Sequence, residues 1–192
     1  LIDEGKYNDA ARLMPSVHAE RGGMGEGSTS DYTDPYQPFC DIRLRTSTNR
    51  PFKNYRRGVD FETGRIWMQW TDDAGDFVRE LFVSRVNDSI FLRIKGSKSG
   101  SVSHRLRLLQ HDASTQIEGI FAAQGLKSAE YNNNAEEDGI LTFSGKYEGK
   151  FSFGAVGRVA ITSGKMRAEN GEIVVDGADE MTLEVKLFIH EE

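Results

Sequence analysis

The sequence predicts a mainly β fold: an antiparallel two-sheet sandwich of the large, supersandwich kind, preceded by a short N-terminal helix. Three observations carry this. From Asp41 onward, apolar residues recur at every second position, the period of a half-buried strand. Turn-forming residues interrupt that pattern at short intervals. Helical periodicity is confined to the first 21 residues. One-sided alternation means antiparallel sheets with one packed face, and two sheets stacked face to face satisfy it best.

The elements follow in order. In "LIDEGKYNDAARLMP", Ile2, Ala10, Leu13 and Met14 share a helical face, and Pro15 is expected to end that helix because it lacks a backbone donor. A second helical turn fits Val17 to Arg21, giving a helical lead over residues 1–21. Gly22 to Pro35 carries glycines and hydroxyl residues without apolar periodicity, and it reads as a loop. Strands are then expected across 39–190. Ile42 and Leu44 point one way from "DIRL". "YRRGVDFETGRIWMQW" is two strands joined at Glu62-Thr63-Gly64, with Ile66, Met68 and Trp70 on one face. Leu81 and Val83 alternate in the next strand. After a turn at Asn87-Asp88, Ile90, Leu92 and Ile94 alternate in another. Val102, His104, Leu106 and Leu108 line one side of "SVSHRLRLLQ". "TQIEGIFAAQG" and "GILTFSGKYEG" read as strands separated by a polar, turn-rich "YNNNAEEDG". Gly154 and Gly157 read as bulges or bends in "KFSFGAVGRVAIT". Asn170-Gly171 is a strong hairpin signal. Leu183, Val185, Leu187 and Ile189 share the face of the closing strand.

Composition narrows the function. The chain of 192 residues has a formal net charge of -6, with Lys and Arg scattered. A nucleic-acid binder needs a basic stripe to displace phosphate counterions, so that class is excluded. No apolar run approaches the roughly 20 residues of a membrane-spanning helix. One cysteine, Cys40, cannot form an internal disulfide. A length of 192 residues favours a single domain, 1–192. The chain opens on Leu1, inside an amphipathic pattern, and reads as a piece of a longer protein.

A search for chemistry finds no catalytic, cofactor or metal constellation. The histidines at 18, 104, 111 and 190 are far apart and match no metal-ligand spacing. His104 lies on an apolar strand face and reads as a satisfied core residue. His111-Asp112 reads as a turn, and Glu80 and Glu184 as exposed strand positions. "GGMGEG" lacks the Gly-Lys-Ser/Thr ending of a phosphate loop. Cys40, next to Phe39, reads as a buried, inert thiol rather than a nucleophile. Tyr32, Tyr36, Phe52, Tyr55, Trp67 and Trp70 are able to stack on sugar rings, although aromatics on strands more often serve packing.

Several stretches together resemble a known family. "LIDEGKYNDAARLM" is similar to its helix before the first well-marked strand. "YQPFCDIRL" resembles its Tyr-Gln-Pro-Leu-Gly-Asp-Leu-x-Leu motif. "YRRGVDFETGRIWMQW" resembles its Tyr-x-Arg-x-Leu-Asp-Leu-x-x-Gly hairpin, with "FVRELFVSR" and "DSIFLRI" following as they do there. "VDGADEMTLEV" is similar to its closing Gly-Ala-Asp-Glu strand. The family is glycoside hydrolase family 95, the α-L-fucosidases and related α-L-galactosidases. The resemblance implies the N-terminal β-sandwich of an inverting hydrolase that releases L-fucose from glycans without metal or cofactor. Catalysis would belong to an (α/α)₆ barrel elsewhere in the chain, against which this domain packs. Periplasmic or extracellular placement is implied, and no catalytic role transfers to this chain. Tyr32, Tyr36 and Gln37 are the positions expected to face the barrel or a sugar. Phe39-Cys40 replaces the family's usual Leu-Gly, which argues against a special backbone angle at position 40. Two other functions fit a β-sandwich of this kind: a carbohydrate-binding module, and a docking domain without a ligand of its own. The latter predicts an exposed apolar patch on one sheet or edge.

Overall fold

The computed structural model describes residues 2–20, 39–46, 50–110, 130–146 and 151–191. The chain divides into two compact units, Leu1–Gln37 and Pro38–Glu192. The first contains one helix, α1 (Tyr7–Glu20), with Asp9 in its first turn, where a carboxylate complements the helix dipole. This corrects the expected stop at Pro15. The helix absorbs the proline and continues into the turn expected over Val17 to Arg21, forgoing the backbone hydrogen bond that Pro15 cannot donate.

In the second unit the described residues form twelve strands in two antiparallel sheets. These are β1 (Asp41–Thr46), β2 (Lys53–Asp60), β3 (Arg65–Asp72), β4 (Gly75–Ser84), β5 (Ser89–Gly96), β6 (Val102–Leu109), β7 (Glu130–Ala135), β8 (Ile140–Lys146), β9 (Phe151–Thr162), β10 (Lys165–Glu169), β11 (Glu172–Ala178) and β12 (Glu180–Glu191). One sheet has the order β1-β6-β11-β10, and the other β2-β3-β4-β5-β12-β9-β8-β7. Asn170 and Gly171 turn the β10–β11 hairpin with φ of 52° and 74°, the left-handed pair that a two-residue connection favours.

Strand register decides which residues meet. Met68 pairs with Arg79, Arg79 with Ile94, and Ile94 with Met181, so these four stand in one row on the inner face of the large sheet. The next row runs Ile66, Leu81, Leu92, Leu183 and Val159. The small sheet answers with Leu44, Leu106 and Ile173 in one row and Thr46, His104 and Val175 in the next. The shared core buries Ile94, Leu106, Leu108, Leu141, Phe143, Ile173, Met181 and Leu183. Each such side chain contributes roughly 1.5–3 kcal/mol when fully removed from water.

Two expectations are corrected here. Gly154 and Gly157 mark no bulge, because β9 and β12 pair without a register shift from Phe151–Glu191 to Thr162–Glu180. Gly154 instead makes room for an aromatic ring: a Cβ there would lie 2.4 Å from Phe188 Cζ and 2.5 Å from the Phe143 carbonyl oxygen. The "YNNNA" stretch is strand β7 rather than part of a turn. It is an edge strand with solvent beside it, so it lacks apolar alternation. Asn133 Oδ1 accepts hydrogen bonds from Arg107 at 2.8 and 3.2 Å. The expected strand in "TQIEGIFAAQG" and the loop from Gly22 to Pro35 lie outside the described residues.

The "GADE" segment has a clear physical use. Asp179 Oδ1 accepts from the Gly100 amide at 2.7 Å and Ser99 Oγ at 2.8 Å, and Oδ2 accepts from Ser163 Oγ at 3.0 Å. These bonds, that of Gly100 foremost, hold its carboxyl below the usual range. Asp179 thereby ties the β5–β6 turn to the β9–β10 turn. Its neighbour Glu180 takes a two-pronged contact from Arg93, at 2.7 and 2.8 Å, on the outer face.

Candidate functional site

The inner face of the large sheet is mainly apolar, but Arg57, Asp72, Arg79 and Asn133 share its parity. Arg79 stands in β4 at the same parity as Phe77, Leu81 and Val83, so the pleat turns a guanidinium toward the core. Its Cζ lies 5.3 Å from the Trp70 ring, and its Nη1 lies 3.9 Å from Met68 Sδ. Its Nε is buried and has no hydrogen-bond partner. Burial pushes its pKa down. Among the described residues no carboxylate lies within ion-pairing distance of it. The residue is only partly buried, and its charge lies over the Trp70 ring as a cation–π contact.

Across the core, β6 contributes His104, which is only 2% exposed. Its Nδ1 also lacks a partner. Burial first, and the charge of Arg79 second, push its pKa down to about 4, against a raising contribution from a hydrogen bond to the Arg45 backbone. His104 is therefore a core histidine, as expected, but one whose ring is not fully satisfied.

These two groups border two neighbouring hollows at one end of the sandwich. A cavity of about 370 Å³ is lined by Thr46, Arg50, Trp70, Asp72 and Arg79, with Phe52 and Tyr55 at its mouth. A smaller one of about 100 Å³ shares Thr46, Arg50, Trp70 and Asp72 and reaches His104. Trp70 is already engaged, stacked on Phe77 at 5.1 Å and 7° and covered by Arg79. Phe52 and Tyr55 form a tilted pair at 5.8 Å and are exposed. Among the described residues the two linings offer guanidinium donors, one carboxylate, the hydroxyls of Thr46, Tyr55, Ser101 and Ser103, and an imidazole. Among the described residues they contain one acid, whereas glycoside hydrolysis ordinarily uses two across the scissile bond.

At the opposite end of β4 the inner face runs past the small sheet. Val59, Ile66, Val83, Leu187 and Ile189 carry inner-face parity and are between 39% and 67% exposed. Between the two ends lies an apolar hollow of about 280 Å³ bordered by Ile42, Leu44, Ile66, Leu81 and Leu92.

The positions expected from sequence fall unevenly on this geometry. Tyr32, Tyr36, Gln37, His111 and Asp112 lie outside the described residues. Trp70, Phe52 and Tyr55 come together at the cavity, while Trp67 lies on the outer face against Gly58. Glu80 is ion-paired with Arg65 at 2.9 Å and Arg93 at 3.5 Å, and Glu184 accepts from Ser89 Oγ at 2.9 Å. Arg79 was not among the expected residues. Its period-two parity with Phe77, Leu81 and Val83 is the signal that identifies it. Among the described residues, no group of three or more His, Cys, Asp or Glu is placed to hold a metal ion. None of the described helices is long and apolar enough to cross a membrane.

Cys40 is half-buried and packs against the core beside Phe39, whose ring meets Phe153 edge-on at 5.1 Å. Burial, and then the charge of Asp41, push its thiol pKa up to about 11. The reactive thiolate is therefore scarce at neutral pH. Iodoacetamide is expected to label Cys40 slowly in the native protein at pH 7 and rapidly after denaturation. Equal rates in the two states would contradict this placement.

Two stacked antiparallel sheets, with a polar cavity at one end and an apolar strip at the other, define a large β-sandwich domain with surfaces for contact. The family is set by sequence: residues 1–187 match the glycosyl hydrolase family 65 N-terminal domain, and the chain belongs to that family. Over 121 residues the chain is 29% identical to Alpha-L-fucosidase 2 of Arabidopsis thaliana, covering 60% of this chain and 13% of that protein. It therefore spans a small part of that relative's length. Among solved structures, a putative kojibiose phosphorylase from the human microbiome aligns over 77% of this chain and 22% of its own, with a TM-score of 0.46 and 11% identity.

Proposed function

We propose that residues 1–192 are one non-catalytic β-sandwich domain of a larger, inverting α-L-fucosidase-like hydrolase of the family 95 type. In this reading the domain docks onto a helical catalytic barrel that acts on fucosylated glycans. The observation that carries the docking role is the uncovered strip of Val59, Ile66, Val83, Leu187 and Ile189, which leaves apolar surface in water unless a further segment covers it. The substrate class rests on the similarity to Alpha-L-fucosidase 2. Tyr32, Tyr36 and Gln37 are proposed as contacts to that barrel or to its sugar.

The test separates the domain from its parent. The purified 192-residue chain is expected to release nothing from an aryl α-L-fucoside. The full-length parent protein is expected to release β-L-fucose first, the inverted anomer, when the product is followed by NMR. Turnover by the domain alone would overturn the non-catalytic role, and initial release of the α-anomer would overturn the inverting assignment.

A further inference from the structure

We propose that the outer face of the large sheet carries a glycan-binding trough beside a bulge in β2, with one sugar ring on Trp67 and the hydroxyls of the adjoining sugar on Arg56, Gln69 and Asn54.

The bulge shapes the trough. The β2–β3 register shifts between Lys53 and Arg56, and within the shift Asn54 takes φ 57°, a left-handed conformation that asparagine enters more readily than most residues. A bulge of this kind re-aims a side chain. Here Asn54 Nδ2 donates to Thr71 Oγ1 at 3.3 Å, and Thr71 Oγ1 donates to Asp76 Oδ1 at 2.7 Å. These three residues tie β2, β3 and β4 together in the lining of a hollow of about 370 Å³. Arg56, Gln69 and Val78 are register partners in the same lining. Their parity is opposite to that of Met68 and Arg79, so the trough lies on the other face of the sheet from the Arg79 hollow. Its size falls within the range of small-ligand clefts.

The ligand class follows from what the lining offers. Arg56 only donates, Asp76 only accepts, and the amides of Asn54 and Gln69 do both. Arg56 and Gln69 are exposed, and their side chains hold no hydrogen bond or ion pair among the described residues. Neighbouring hydroxyls of a sugar each donate and accept, which suits such a mixture. Trp67 stands two residues before Gln69 on the same face of β3, roughly 7 Å along the strand. Its ring rests against Gly58, where a Cβ would lie 2.7–3.0 Å from three indole atoms. The missing Cβ lets the indole settle on β2, and Trp67 stays partly exposed beside the polar lining. An indole so placed offers an apolar face to a sugar ring. Asp76 in the lining disfavours a phosphate chain.

Isothermal titration of the protein with cellohexaose, maltohexaose and 2′-fucosyllactose is the test, with single-stranded oligothymidylate as the control. At least one of the three neutral sugars is expected to bind saturably at millimolar concentration, and the oligothymidylate is not. Gln69→Ala, at an exposed position, is expected to weaken that binding about fivefold, the loss of one hydrogen bond. Trp67→Ala is expected to weaken it by at least about fivefold. On the unmodified protein, which has two tryptophans, the indole Nε1–Hε1 resonance of Trp67 is expected to move with the bound sugar, while that of Trp70, stacked on Phe77 on the inner face, stays. That measurement is independent of whether either variant folds. Flat titrations with all three sugars, equal or tighter binding of oligothymidylate, an unmoved Trp67 resonance, or unchanged binding by Gln69→Ala would each overturn the assignment.

Discussion

Replacing Gly164 with alanine is expected to destabilise the fold by about 3 kcal/mol, lowering the melting temperature by roughly 6–12 °C for a chain of this size. Two effects add. Gly164 has φ +76°, a backbone conformation that disfavours a side chain. A Cβ there would also sit 2.7 Å from Ala178 N, Asp176 O and Gly177 C. All three are backbone atoms, so no side-chain rotation relieves the overlap, and the β11–β12 corner has to move. Gly64 separates the two effects. It has a similar φ of +70° but nothing within 4 Å of its Cβ position. Gly64→Ala is expected to cost only about 1 kcal/mol. Thermal melts of the two variants side by side give the comparison, and equal losses would show that the β11–β12 corner yields freely.

The second large effect is on acid stability. In the unfolded chain an imidazole takes up its proton near pH 6.5, whereas His104 in the fold holds out to about 4. Between those values the unfolded state binds more protons. The contribution of His104 is therefore intact above pH 6.5 and declines as the pH falls toward 4, by about 3 kcal/mol in all. Carboxylates titrate in the same acid range, so the comparison is with His104→Leu, which should show a shallower loss in urea unfolding between pH 7 and pH 4.5. An imidazole NMR titration is the direct measurement. A midpoint near 6.5 in the folded protein would sink this prediction.

What the sequence made legible was local. Alternation placed Ile66, Met68 and Trp70 on one face, and Leu183, Val185, Leu187 and Ile189 on another, and both faces point inward. Alternation did not indicate where the covering sheet would end, and so it did not separate buried Val185 from exposed Ile189. Strand β7 escaped because an edge strand in solvent needs no apolar face. Helix α1 runs through Pro15 because losing one donor weakens a helix without compelling it to stop. The cavity was legible only in part. Arg79 carries the parity of its core neighbours and was within reach of a pattern argument. Arg50, Asp72 and Thr46 come from strand ends and connections, and pairings distant in the sequence bring them together.

The place of β12 bears on how the domain is made. This strand comes last in chain order among the twelve, yet it lies between β5 and β9 in the middle of the larger sheet. Strands β2–β5 form a chain of hairpins, as do β7–β9, but the two groups share no pairing until Glu180–Glu191 enters between them. On the ribosome, each group waits with an open edge, Ser89–Gly96 on one side and Phe151–Thr162 on the other. Nascent chains in this state offer templates for pairing with other molecules. Completion of this sheet during synthesis is therefore a late, single event, and its yield depends on how long those edges are shielded.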